Sequence, residues 1–244
     1  MRAIVLCGGF ATRMGGLCSH TPKPLLTIGG RPLLSGIMDM LDGLKEVRSI
    51  LIWGNAKFQG QFSEFIRQGS WRTPVRLDVD PASDGKKSMG CVGALCHILK
   101  SRATDDDIIV VNGDNIFNSD IRGAIALLKR SRKPVLTAYD VGNAREAGRT
   151  GVMKIGRGSR VIELREKPGK ASSTIVSAGI YLYPREKLGM FGQYLSEGGL
   201  PDPIGLFHSW LVRRTEVLAY MLDGLWIDIG TPGDYARACR EFGR

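Results

Sequence analysis

Histidine and cysteine are scarce in this chain, with three of the former and five of the latter in 244 residues. Cys7, Cys18, Cys91, Cys96 and Cys239 are odd in number and form no Cys-x-x-Cys pair, which argues against a disulfide framework and a structural zinc site and fits a reducing cytoplasm. Long apolar runs are also missing, so no bilayer span is expected. The apolar stretch Ala3 to Cys7 is too short for a signal peptide and meets Gly8-Gly9 at once, so it reads as a first strand. No Ser- or Pro-rich linker, low-complexity tract or internal repeat divides the chain. Absent too is the alternation of basic and aromatic residues that single-strand binders use. The net charge of +10 comes from 34 Lys and Arg against 24 Asp and Glu, spread through the chain, so small polyphosphates are expected as partners rather than nucleic acid or a membrane.

What is present is rhythm. Short β-branched runs at Ala3 to Cys7, Ser49 to Trp53, Val75 to Val79, Asp107 to Asn112 and Val135 to Tyr139 alternate with apolar residues at helical spacing. Those helices are placed at Leu33 to Leu44, Phe58 to Gln68, Met89 to Ser101 and Ile121 to Arg130. The pattern predicts an α/β fold, a Rossmann-like, mainly parallel sheet flanked by helices. After Asp140 the rhythm changes to Val152 to Ile155, Val161 to Leu164 and Ile175 to Tyr183, which reads as a β-rich insertion. Helices return at Arg185 to Tyr194 and Ile204 to Arg214, and a last strand pair, Val217 to Leu222 with Trp226 to Ile229, leads into a helix from Pro232. The expected organisation is one domain, 1–244, with a first part over 1–140 and a second part over 141–244 that packs on it as a substrate-binding lobe.

Chemistry concentrates in a few segments. Leu6-Cys7-Gly8-Gly9-Phe10-Ala11-Thr12-Arg13-Met14 follows the first strand, and Thr21-Pro22-Lys23-Pro24 follows soon after. Glycines there let backbone N–H groups approach phosphate oxygens, Arg13 can fork across two of them, and Lys23, held between prolines, is a stiffly placed point charge. Neither a Walker A loop nor Gly-x-Gly-x-x-Gly is present, which disfavours kinase and dehydrogenase chemistry. Val110-Val111-Asn112-Gly113-Asp114 is an apolar strand ending in a carboxylate, where an open α/β sheet places its ligands, and a hard oxygen donor suits Mg²⁺. Asp228, between Ile227 and Ile229, would be costly to bury without a cation, while Thr231 and Pro232 suffice as an N-cap and first helical residue. Glu166 and Lys167 alone read as a solvated pair at a strand end.

Taken together these segments resemble the signature of the sugar-1-phosphate nucleotidylyltransferases, and the resemblance recurs along almost the whole chain. It implies a GT-A-like nucleotide-diphospho-sugar transferase fold in which Leu6, Gly8 and Gly9 wrap the nucleotide, Arg13 holds the departing pyrophosphate and Lys23 stabilises charge at the α-phosphate. Asp114 and Asp228 would hold Mg²⁺. Lys167 would grip the sugar phosphate, Glu166 would accept hydrogen bonds from sugar hydroxyls, and Gly151 and Gly179 would let the ring lie close to the backbone. Gly90, in the polar stretch Ser83 to Leu95, is the best match to the nucleobase-reading loop.

The segment Met14-Gly15-Gly16-Leu17-Cys18 departs from the usual signature and resembles molybdopterin guanylyltransferases, which leaves the base open. Glucose 1-phosphate with dTTP or UTP is the first expectation. The alternatives are guanylyl transfer to a mannose or heptose 1-phosphate, cytidylyl transfer to a non-sugar phosphate, and, from another class, a non-catalytic nucleotide-sugar sensor or regulatory subunit. The resemblance is compatible with a homo-oligomer. By the same resemblance 1–140 would be the nucleotide-binding part and 141–244 the sugar-phosphate-binding part, and because the chain ends soon after the motif at Trp226 to Tyr235 the left-handed β-helix acyltransferase domain that some relatives carry is not expected.

Overall fold

The computed structural model describes residues 1–82, 87–102 and 105–243. In chain order its elements begin with β1 (Arg2–Leu6), β2 (Thr27–Ile28), β3 (Arg31–Pro32), α1 (Leu33–Asp42), β4 (Ser49–Asn55), α2 (Gln59–Gln68) and β5 (Val75–Asp80). There follow α3 (Gly90–Ser101), β6 (Ile108–Asn112), β7 (Asn115–Phe117), α4 (Arg122–Ser131), β8 (Val135–Asp140), α5 (Ala144–Ala147), β9 (Gly151–Ile155), β10 (Val161–Glu166) and β11 (Ile175–Tyr183). The chain closes with α6 (Gly189–Ser196), α7 (Ile204–Leu211), β12 (Leu218–Met221), β13 (Trp226–Asp228) and α8 (Pro232–Phe242).

Two compact units emerge, the first from Met1–Ser88, Val110–Asn118 and Gly224–Arg244, the second from Met89–Ile109 and Ser119–Asp223. A division at residue 140, expected from the change in rhythm, does not follow these units. The C-terminal segment belongs with the N-terminal one, and α3, α4 and β8 belong with the β-rich part. Rhythm reports local periodicity, whereas membership of a unit depends on non-local packing.

In the first unit the strand order is β6-β1-β4-β5, with β1 and β5 each parallel to β4. Ala3, Ile4 and Val5 of β1 and Val110 and Val111 of β6 are fully buried, as expected of parallel strands covered on both faces. Helix α1 buries Leu33, Leu34, Ile37, Met38 and Leu41, one stripe at helical spacing. Because β1 and β6 are neighbours, the glycine loop after one and Asp114 after the other emerge at the same end of the sheet, and Gly113 N–H donates to Leu6 O at 2.9 Å.

The second unit has the order β10-β9-β11, all antiparallel, with β8 antiparallel to β11 and β12 parallel to β8. Strand β12 therefore does not pair with the strand after it, contrary to the expected last strand pair. Leu218 sits opposite Val135, while Trp226 to Asp228 of β13 pairs antiparallel with β7 in the first unit. The intervening Asp223-Gly224 mimics a hairpin turn but marks the passage from one unit to the other. The helix expected from Arg185 starts at Gly189, after a 3₁₀ turn at Arg185–Lys187.

An aromatic cluster of Tyr183, Phe191, Tyr194, Phe207 and Trp210 anchors α6 and α7. His208 lies fully buried within it, its Nε2 2.6 Å from Tyr183 Oη, and burial pushes its pKa down to about 3. The unfolded chain takes up this proton near pH 6.5, so the stabilisation is complete above that value and is lost as pH falls towards the depressed folded-state pKa. By pH 4.5 the loss is expected to be roughly 2–3 kcal/mol, readable as a lower urea midpoint, and His208→Gln is expected to flatten that part of the profile.

Candidate active site

The first unit holds the glycine loop, Arg13, Lys23, Asp114 and Asp228. Cys7 N–H donates to Trp53 O at 2.7 Å, and Asn55, buried at the end of β4, reaches from Nδ2 to Gly8 O at 3.4 Å while accepting from Phe58 N–H. The glycine loop is thus tied at its root, whereas Gly9 has open space around its Cα. Ala11 takes a left-handed conformation (φ 50°) ahead of the 3₁₀ segment Thr12–Cys18, which carries Arg13. Pro22 is extended and Pro24 fixes the next backbone angle, so Lys23 opens a 3₁₀ turn with its side chain only 11% exposed.

Lys23 Nζ lies 2.9 Å from Asp114 Oδ2, and Asn115 Nδ2 donates to Asp114 Oδ1 at 3.0 Å. A Cβ on Gly113 would collide with Cys7 Sγ and lie 3.0 Å from Leu6 O, so only glycine lets the turn before Asp114 press against β1. Cys7 itself is a packing residue, since burial and the Asp114 carboxylate hold its thiol far above the usual range.

Strand β13 brings Asp228 opposite Asn115, and Ile229 N–H donates to Asp114 O at 3.1 Å. The Asp114 and Asp228 carboxylates are thus neighbours that interact electrostatically, although they lie 114 positions apart in sequence. Asp228 is half-buried; burial and then the neighbouring Asp114 push its pKa up to about 7, against the pull of Lys23 and Arg13. Neighbouring carboxylates repel one another, and a hard divalent cation would relieve both the burial and the repulsion. Among the described residues no group of three or more His, Cys, Asp and Glu is arranged to hold a metal, so this pair would share the ion with phosphate oxygens and water.

Asp234, to which sequence reasoning gave no role, accepts from Thr231 Oγ1 at 2.7 Å and from Gly230 N–H at 3.2 Å, fixing the turn after Asp228. Its signal was the Thr-x-x-Asp spacing of a capping box. Thr231 is the N-cap of α8 and Pro232 its first residue, as expected.

In the second unit Glu166 ends β10 directly opposite Gly151 of β9, and its side chain is 12% exposed. Lys167 Nζ lies 3.4 Å from Glu166 Oε1; the lysine backbone has φ 43° and its N–H donates to Thr150 O at 3.0 Å. A left-handed non-glycine residue held by a neighbouring strand end is the kind of strain found at functional positions. Gly179 (φ 78°) lies within the irregularity of β11 between Ser177 and Tyr181. Gly90 (φ 66°) starts α3 under Pro201 and Asp202, whose O and Oδ1 accept from Val92 and Cys91 N–H; a Cβ there would come within 2.6 Å of Pro201 O. That packing accounts for Gly90 as a glycine. Ser83 to Lys86, from the polar stretch ahead of it, lie outside the described residues. Arg13, Lys23, Asp114 and Asp228 are thus together in the first unit, while Gly90, Gly151, Glu166, Lys167 and Gly179 belong to the second.

A family model described as nucleotidyl transferase matches residues 2–243, and the chain belongs to that family. Over 240 residues it is 28% identical to the bifunctional protein GlmU of Methanococcus aeolicus, covering 96% of this chain but 52% of that protein, so the chain spans about half of this relative's length. Over 237 residues it is 26% identical to a D-glycero-α-D-manno-heptose 1-phosphate guanylyltransferase of Campylobacter jejuni, covering 96% of this chain and 97% of that one. The structure of HddC from Yersinia pseudotuberculosis superposes with a TM-score of 0.75 at 22% identity, over 99% of both chains, so the two share one α/β fold. Among the described residues no helix is long and apolar enough to cross a membrane.

Proposed function

We propose that this chain transfers a nucleotidyl group from a nucleoside triphosphate to a sugar 1-phosphate, releasing pyrophosphate. The observation that carries the reading is the meeting of Asp114 and Asp228 beside Lys23 and Arg13 in the first unit. Both reactants are anions, and their mutual repulsion is the main obstacle to reaction. Mg²⁺ held by Asp114 and Asp228 would neutralise phosphate charge and act as a Lewis acid there. Lys23 stabilises the charge that develops on the α-phosphate, and Arg13 forks across the departing pyrophosphate. Leu6, Gly8 and Gly9 hold the nucleotide, and Gly90 belongs to the surface that reads the base. Glu166 accepts from sugar hydroxyls, Lys167 binds the sugar phosphate, and Gly151 and Gly179 let the ring approach. The attacking phosphate oxygen is already ionised at neutral pH, so no histidine base is needed.

The end-to-end match to a protein named as a heptose 1-phosphate guanylyltransferase favours GTP and a manno-configured sugar 1-phosphate over glucose 1-phosphate with dTTP or UTP. A pyrophosphate-release screen of the four common triphosphates and dTTP against mannose, heptose and glucose 1-phosphates tests this. Release with GTP and a manno-configured sugar phosphate is expected, and no release with any pair would leave the sensor reading in its place. Lys167→Ala is expected to raise the sugar-phosphate KM by about 10- to 100-fold while leaving the triphosphate KM nearly unchanged. Equal effects on both would remove Lys167 from the sugar-phosphate site.

A further inference from the structure

Gly205, in the first turn of α7, had no role in the sequence reading. It is buried, and a Cβ built on it would overlap Glu166 Oε2 and lie 2.8 Å from Glu166 Cδ. Across the strand pair, a Cβ on Gly151 would lie 3.3 Å from the same Oε2. The carboxylate thus enters a slot made by two missing side chains, one from β9 and one from α7, while its other oxygen faces Lys167 Nζ at 3.4 Å. Neither wall can retreat easily. Gly151 is paired with Glu166 in the sheet, and Ser209 Oγ lies 2.8 Å from both Leu164 O and Gly205 O, stitching the start of α7 to β10.

We propose that Gly205 is a positioning residue for sugar recognition: by lacking a side chain it admits the Glu166 carboxylate to the one orientation in which it can read sugar hydroxyls beside Lys167. The inference rests on the reading of Glu166 as a sugar-binding group. A methyl at Gly205 overlaps the far end of a flexible side chain and lies 3.3 Å from its Cβ, so the carboxylate swings out, the strand end gives by a few tenths of an ångström and the fold survives. The cost falls on recognition.

The test is a set of purified full-length variants assayed with GTP and α-D-mannose 1-phosphate, or with whichever pair the wild type uses. Gly205→Ala is expected to raise the sugar-phosphate KM by about tenfold or more and to leave the triphosphate KM within about twofold. Adding Glu166→Asp, which shortens the side chain by one methylene, is expected to restore part of the loss. In a Glu166→Ala background Gly205→Ala is expected to change the KM no further, as for two residues acting through one contact.

Melting temperatures give a second readout independent of turnover. Gly205→Ala is expected to lower Tm in the native background and to raise it in the Glu166→Ala background, where the methyl enters a vacated slot. Additive effects on Tm, or an unchanged sugar-phosphate KM in an active Gly205→Ala enzyme, would overturn the proposal. A wild type that turns over no sugar phosphate while the Tm reversal holds would instead sink the functional reading and leave the slot standing.

Discussion

Asp114→Asn is expected to lower turnover by on the order of 10³-fold or more while the protein remains folded. The amide keeps the shape of the carboxylate and can still meet Asn115, but it loses the negative charge that faces Lys23 Nζ at 2.9 Å and that would hold the cation. Asp114 is 35% exposed at its side chain, so the ion pair is partly screened; the stability cost is set mainly by leaving the less exposed Lys23 with Asp228 as its remaining acidic neighbour. That cost is about 1–2 kcal/mol, too little to unfold an ordinary domain. Steady-state kinetics with far-UV circular dichroism separates the outcomes: undiminished turnover in a folded variant removes Asp114 from the metal site.

Asp228→Asn should show the opposite sign in stability and the same sign in activity. Burial and Asp114 raise the Asp228 pKa to about 7, so folding favours the protonated form. Its contribution is intact below the ordinary carboxylate range and is lost as pH climbs through about 7. At pH 8 without metal the ionised side chain therefore works against the fold, and an amide, which imitates the protonated acid, removes that opposition. Allowing for solvent reaching a half-buried group, the gain is expected to be about 1–2 kcal/mol, or about 3–6 °C in Tm at pH 8, shrinking towards zero below pH 4. Turnover is expected to fall by about 10²-fold or more in the same variant. A variant that is both less stable at pH 8 and fully active would refute the assignment. Lower stability in exchange for activity is what a carboxylate pair serving as a cation site would show with the ion removed.

Much of this was legible in the sequence because it is local. The buried runs of β1, β4 and β6 and the apolar stripe of α1 declare themselves by period, and the loop with Arg13 and Lys23 declares itself by its glycines and prolines. Asp114 was legible as a carboxylate at a strand end. What was not legible is non-local. Strand β7 is three residues long and β13 is three residues long, so neither carries a period from which their pairing could be read. Yet that pairing brings Asp228 to Asp114. Likewise Gly205 in Ile204-Gly205-Leu206-Phe207 reads only as a weak helix former, because the group that requires its bareness, Glu166, is on another element. The parallel pairing of β12 with β8 was hidden by an Asp-Gly turn that advertises a hairpin.

Direct titration of Mn²⁺, followed by its electron paramagnetic resonance signal with and without a non-hydrolysable triphosphate, probes the paired carboxylates without relying on turnover. Wild-type protein with the triphosphate bound should take up the ion tightly, and Asp114→Asn and Asp228→Asn should each weaken that uptake by about 10- to 100-fold. Uptake as tight in both variants as in wild type would show that the cation is held elsewhere.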